Sequence, residues 1–285
     1  MIKNLILIVF ISIFVISCED SSLSDYKEDF IVEALLVVGE PINNITVMRS
    51  QPVSGIFNYD SSMVKDANVK IIGDGKEFDL KFRPKEFGSI GYFSADTTYI
   101  VKSGIEYKIE ITLNNGKFIT GKTTTPPATS WIYLPDELVQ YPLDTLNIPQ
   151  GDSISWQSVA GFPYYMISIK NMDTLNYGIY LNPPKDELNR RIYRPFGGGE
   201  RAYRDPISIF PIPSNKTPVL WTAFRWFGKH QIKIYVPDFN FLRWFLQAQT
   251  KGEADPLLTS VDGAIGYFGS ASVIQYNFFL LKNQP

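Results

Sequence analysis

Tyr107-Lys108-Ile109-Glu110-Ile111-Thr112-Leu113-Asn114-Asn115-Gly116-Lys117-Phe118-Ile119-Thr120 is the stretch that decides the fold. Tyr107, Ile109, Ile111 and Leu113 fall on one side of an extended chain, and Lys108, Glu110 and Thr112 on the other, which is the period of a half-buried strand. Asn115-Gly116 follows at once. That dipeptide is the strongest short hairpin signal, because a type I′ turn needs positive φ at both central residues. Phe118-Ile119-Thr120 then reads as the returning strand. An upstream hairpin has the same form, with Val69 and Ile71 before Gly73-Asp74-Gly75 and Phe78, Leu80 and Phe82 after it. No helical stretch separates these strands, so residues 30–125 are expected to form a β-sandwich of immunoglobulin or transthyretin type.

Downstream, Thr123-Thr124-Thr125-Pro126-Pro127 breaks the pattern, since two prolines cannot continue a sheet ladder. A domain boundary is expected there, with a second, fibronectin-like sandwich over 128–285. Ile154-Ser155-Trp156 and the alternating Tyr165, Ile167 and Ile169 read as its early strands, with Trp156 in the core. Between 182 and 218 the periodicity fails. Prolines, Phe196-Gly197-Gly198-Gly199 and the arginines Arg190, Arg191, Arg194, Arg201 and Arg204 mark this as a long irregular insertion, and loops of such length usually carry function or lack order. Gln231 to Val236 reads as a strand. Asp238 is placed to cap a helix over about 238–251, in which Phe239, Leu242, Leu246 and Gln249 share a face before Gly252. A last strand is expected over Ala271 to Leu281. The expected class is therefore mainly β, two tandem β-sandwiches with one helix near the C-terminus.

The N-terminal segment has a different character. Lys3 precedes an apolar run from Leu5 to Val15, and Ser17 stands before Cys18, the only cysteine in the 285 residues. This is the pattern of a lipoprotein signal peptide over 1–17, with Cys18 as the lipid attachment site. Several acyl chains on one residue give stable membrane attachment without a spanning helix. Residues 18–29, rich in acid and serine, are expected to be a flexible tether. A formal net charge of −2 gives no footprint for nucleic acid. With Cys18 acylated, one histidine and no further cysteine leave neither a disulfide nor a zinc cluster, and no metal or cofactor is expected.

Catalytic motifs are not found. His230, in Gly228-Lys229-His230-Gln231, has no nucleophile partner in a recognisable motif and reads as a loop-edge residue. Asp136-Glu137 and Asp186-Glu187 fall in proline-rich stretches and read as solvated surface, and Gly197-Gly198-Gly199 lacks the lysine and helix of a phosphate loop. Aromatics are the one excess, 14% of residues, and most of them will fill cores. The crowded Trp221, Arg225 and Trp226 beside the arginine-rich insertion are the exception. Stacking faces next to charge suit a ligand or a partner protein, so Arg190, Arg191, Tyr193, Arg194, Arg201, Tyr203, Trp221, Arg225 and Trp226 form the candidate contact set.

Phe30-Ile31-Val32-Glu33, the segment Ile45-Thr46-Val47-Met48-Arg49-Ser50, Ala67-Asn68-Val69, the Gly116-Lys117 turn and the closing Asp262-Gly263-Ala264-Ile265-Gly266-Tyr267-Phe268-Gly269-Ser270 together resemble the domain-of-unknown-function 4249 lipoproteins of Bacteroidota. Ala34 departs from the glycine many members carry, and the insertion is longer than the resemblance leads one to expect. The resemblance implies an outer-membrane lipoprotein, surface-facing, that assists a TonB-dependent transporter in nutrient capture, and the acidic Glu19 and Asp20 after Cys18 fit a surface-export signal. The alternative is a stand-alone surface glycan-binding lipoprotein, which calls for exposed aromatics on one face. An enzyme is not expected.

Overall fold

In a computed structural model the described residues are 26–43, 45–52, 56–84, 90–143, 151–196, 199–201, 207–249 and 258–283. The alternating segments are strands. The first half of the chain contains β1 (Phe30–Val37), β2 (Thr46–Arg49), the one-turn helix α1 (Tyr59–Ser62), β3 (Asn68–Gly73), β4 (Lys76–Arg83), β5 (Gly91–Ser94), β6 (Glu106–Thr112) and β7 (Phe118–Thr124). The second contains β8 (Trp131–Tyr133), β9 (Leu138–Gln140), β10 (Ser153–Trp156), β11 (Tyr165–Asn171), β12 (Arg194–Phe196), β13 (Gly199–Arg201), β14 (Ile207–Ile212) and β15 (Lys216–Pro218). It closes with β16 (Gly228–Pro237), helix α2 (Phe239–Gln249), β17 (Val261–Asp262) and β18 (Ile265–Leu281). The fold is mainly β, with its longer helix near the C-terminus.

Turn chemistry explains the two early hairpins, with one exchange of roles. Asp74 and Gly75 both take positive φ, 54° and 69°, so the type I′ turn joins β3 to β4, where Gly73 faces Lys76. At the second hairpin Gly116 has φ 80° and Asn115 does not have positive φ. There Gly116 N–H donates to Leu113 O and Leu113 N–H to Lys117 O, the pattern of a longer loop closed by a glycine bulge, not the type I′ turn its sequence announces. The β6 side chains fall as their alternation requires: Tyr107, Ile109 and Ile111 are fully buried.

Three sheets build the body. A six-stranded sheet runs β17-β7-β6-β3-β4-β5, and a three-stranded one β15-β10-β8. A seven-stranded sheet has the order β14-β11-β16-β18-β1-β2, with β9 added on β18. The first core packs Val32, Ala34 and Leu36 of β1 and Phe268 of β18 with Val69, Ile71, Ile109 and Ile111 of the six-stranded sheet. The second packs Ile167, Ile169, Ile232, Ile234 and Phe278 with Ile154 and Trp156. Each fully buried aliphatic or aromatic side chain contributes about 1.5–3 kcal/mol.

The pairing does not follow the division expected at Pro126-Pro127. β18 runs parallel to β1 from Ile265 to Ala271 and antiparallel to β16 from Ala271 to Leu280, so one strand backs both cores. β17 adds to β7 in the same way, from 140 residues away in sequence, through Val261 opposite Gly121. Parallel partners need a long crossover and leave no local signature. The proline run lies against this spine, with Ser272 Oγ donating to Pro127 O at 2.6 Å.

Two further expectations change. Residues 182–218 are not wholly an insertion, because β14 is an edge strand of the large sheet and β15 pairs with β10. Pro211 stands opposite Met166 in β14, a position an edge strand tolerates because one side of its backbone is unpaired. In α2, Phe239 is 70% exposed and Leu246 40%, so the face they share is not the buried one. Phe241 and Trp244 instead stack on Tyr267 at centroid distances of 5.6 and 5.9 Å. The side chain of Gln249 and the residue Gly252 lie outside the described residues.

Candidate functional site

Asp173 organises the loop that follows β11. Its carboxylate accepts hydrogen bonds from the backbone N–H of Leu175 and Asn176 at 2.9 Å, from Asn176 Nδ2 at 3.0 Å and from Tyr180 Oη at 2.8 Å. The Asn176 bonds and then the others hold it well below the usual carboxylate range. Asn189 Nδ2 donates to Asp173 O at 2.7 Å and to Phe227 O at 2.8 Å. The chain from 189 is thereby laid against the segment leading into β16.

A short antiparallel ladder results. Ile192 N–H donates to Arg225 O at 3.0 Å, Phe227 N–H donates to Arg190 O at 3.3 Å, and Arg191 faces Trp226. Ile192 is buried in the second core and anchors the ladder. The Arg191 guanidinium lies 5.2 Å from the Trp226 ring centre and that of Arg190 lies 5.3 Å from Phe227, cation–aromatic pairs worth roughly 0.5–1 kcal/mol at half-exposed sites. Leu175 and Leu188 stand beside it, 71% and 72% exposed, and Tyr193 follows at 52%.

Of the candidate contact set, Arg190, Arg191, Tyr193, Arg225 and Trp226 come together here. Arg194 and Arg201 face each other across the β12–β13 hairpin as backbone partners. Tyr203 and Cys18 lie outside the described residues. Trp221 does not join Trp226. Its ring packs edge-on against Tyr141 at 5.7 Å and tilts over Phe224 at 6.0 Å, on another surface.

That other surface is a cleft at the end of the second sandwich, with about 360 Å³ of water-accessible space, walled by the chain around β9, by Gly151 to Ile154 and by Val219 and Trp221. Asp136, Gln140, Asp152 and Ser153 supply its polar lining. An adjoining apolar pocket, which shares Pro135, Val139, Ile154 and Val219 with the cleft, has room for only about 20 Å³. Asp136 is exposed, as its proline-rich setting implies, and lines this cleft. Only Trp221 marked this place in the sequence, because the wall is assembled from three separated segments.

His230 is also not where its neighbours in sequence put it. It is buried in β16, stacked on Phe278 at 5.6 Å and edge-on to Phe224 at 5.2 Å, with Nδ1 2.8 Å from Gly228 O. Burial pulls its pKa down to about 4. Among the described residues no group of three metal-ligating side chains is assembled, and no helix is long and apolar enough to cross a membrane.

Residues 16–277 match the model of a family described as a domain of unknown function, DUF4249. No curated protein matches. Among solved structures, a chain described in work on host cell surface retention of a 1.5-MDa bacterial ice-binding adhesin is 9% identical, over 90% of this chain and 65% of its own length, with a TM-score of 0.21. So low a score bears on neither fold nor function.

Proposed function

The chain belongs to the DUF4249 family, and on that premise we propose that it is an outer-membrane lipoprotein, anchored through acylated Cys18 and facing the cell surface, that assists a TonB-dependent transporter in nutrient capture. Its part in this is a protein contact, made by the ladder of Arg190 and Arg191 against Trp226 and Phe227. The observation that carries the reading is the composition and setting of that ladder: two arginines spread on aromatic faces, fixed in place by Asn189 and the buried Ile192, and bordered by exposed Leu175, Leu188 and Tyr193. Arginine and aromatic side chains held rigid within an apolar surround are the usual anchors of protein interfaces, since little entropy is lost when they dock. Loops set on a sandwich are also where such anchors are commonly presented.

The test is co-purification. Arg190→Ala/Arg191→Ala/Tyr193→Ala leaves Ile192 and the core intact, and should lower recovery of a TonB-dependent transporter from solubilised outer membranes by about tenfold, a loss of about 1.4 kcal/mol of contact. Unchanged recovery would reject the ladder as the contact. The anchor is checked apart from it: Cys18→Ala should abolish acyl labelling and leave an unprocessed precursor, and normal processing of that variant would remove the lipoprotein reading.

A further inference from the structure

The Trp221 cleft is a different surface from the arginine ladder and is not used by the contact just proposed. Its volume of about 360 Å³ lies within the range of small-molecule sites. Its chemistry is one-sided. Two carboxylates, Asp136 and Asp152, and the hydroxyl of Ser153 line it, and among the described residues no lysine or arginine does. Gln140 adds an amide whose Nε2 already donates to Tyr141 O at 2.9 Å and to Lys282 O at 3.0 Å, so what it offers a ligand is its carbonyl oxygen.

Polar lining dominated by carboxylates repels phosphates and carboxylates and favours a ligand that brings many donors. Trp221 narrows the class further. Its indole is held by Tyr141 and Phe224, and Gly151 passes so close that an added Cβ would lie 3.3 Å from Trp221 Cε2 and 2.8 Å from Val219 O. The backbone wall is thus pressed against a fixed aromatic ring. A donor-rich ligand with a flat, C–H-lined face fits that combination, and a pyranose has both: hydroxyls round its rim and an apolar face to lie on an indole. We propose that this cleft binds a neutral saccharide, with Trp221 as the stacking platform and Asp136 and Asp152 as the acceptors that orient its hydroxyl groups.

The adjoining apolar pocket, with room for only about 20 Å³, is too small for a sugar ring, so the saccharide is held in the cleft itself. The site stands whether or not the protein works beside a transporter.

The experiment titrates the full chain, purified in detergent micelles, with maltohexaose, cellohexaose and mannohexaose, and in parallel with spermidine as a donor-rich cation, following indole fluorescence and heat. At least one hexasaccharide should bind at concentrations up to about 10 mM, and Asp136→Asn and Asp152→Asn, both at exposed positions, should each weaken it about tenfold. Trp221→Ala should abolish it, but Trp221 also packs on the core, so the aspartate variants decide the matter if that protein fails to fold. Arg190→Ala/Arg191→Ala should bind the sugar as the parent does, which separates this proposal from the contact surface. Binding by none of the three saccharides, binding unaltered in both aspartate variants, or binding of spermidine alone would overturn it.

Discussion

His230 is a neutral imidazole held between two phenylalanine rings, and acid should find it. In the unfolded chain it takes up a proton near pH 6.5, whereas in the folded protein burial lowers that to about 4. Between those values the unfolded state binds the proton and the folded state does not, so stability is full above about pH 6.5 and is lost as pH falls toward 4. A gap of about 2.5 units at 1.36 kcal/mol per unit amounts to about 3 kcal/mol, a large share of the 5–15 kcal/mol that holds an ordinary domain together. Two carboxyls, the buried Asp238 and the half-buried Glu33, work in the opposite direction. Burial raises Asp238 and Glu33 above their ordinary values, so the folded state holds their protons more tightly and gains stability as pH falls through their range. The contribution of His230 is therefore read as a difference. Urea unfolding of the parent and of His230→Gln, followed by tryptophan fluorescence from about pH 7.5 to about pH 4, should give curves that converge by about 3 kcal/mol over that interval. Parallel loss in the two proteins would refute the argument, for it would mean that the proton lands elsewhere.

Asp238 caps α2 through the N–H of Phe241 at 2.8 Å and accepts the Thr123 hydroxyl at 2.6 Å, while Thr123 and Ser270 hydroxyls lie 2.7 Å apart. Asp238→Ala removes the cap and leaves buried hydroxyls short of a partner, and should cost about 2–3 kcal/mol in urea unfolding; a loss under about 0.5 kcal/mol would deny the network a structural role. A fragment ending at Pro127 has β1 without β18 and β7 without β17, and lacks Phe268 from its core. It should give the far-ultraviolet circular dichroism of an unfolded chain and be digested by protease at once, and a folded, protease-resistant fragment would show that the halves are independent after all.

The sequence is most readable where one face of a strand is buried and the other wet. Tyr107 to Leu113 could be read residue by residue for that reason, as could Val69, Ile71, Phe78 and Leu80, and each of these lies in the first core. The strand β14 escaped because Ile207 to Ile212 carries a proline, which argues against a strand in a sheet interior but not at its edge. The β1–β18 pairing had no local trace at all, since its partners stand more than 230 residues apart and neither segment shows that the other exists. The candidate surface was legible by composition only. Arginine beside tryptophan pointed to Arg190, Arg191 and Trp226, but Trp221 and Trp226 are five residues apart and serve different surfaces, because the short helical turn over Trp221–Ala223 redirects the chain between them. His230 misled because its neighbours Gly228 and Lys229 look like a loop, although β16 begins with them and alternation then carries the imidazole inward.

The segment Asp262 to Ser270, one of those that carry the family resemblance, is also where the two cores are joined, and its residue types follow from that position. Ile265 to Ala271 must lie against β1 while α2 packs over the same strand and β7 closes from the other sheet. Gly266 has φ 125°, and a Cβ there would stand 1.9 Å from Val32 O, so any side chain would push β1 out of register; the strain alone costs about 1–3 kcal/mol before the clash is counted. At Gly269 a Cβ would come within 2.8 Å of Phe241 Cβ and 3.0 Å of Asp238 Oδ1, so its absence is what lets the helix start sit down on the strand. Phe268, beside Gly269, points the other way and fills the first core, and Ser270, two residues on, carries the hydroxyl that meets Thr123. Small, large and polar residues alternate here because one face receives a helix, the other a core, and the crossing point a buried hydrogen bond. A motif of this kind is dictated by architecture, and it identifies kinship in fold without identifying a ligand. The surfaces proposed for function lie instead at the far end of the second sandwich and on its loops, at positions this junction leaves free to differ.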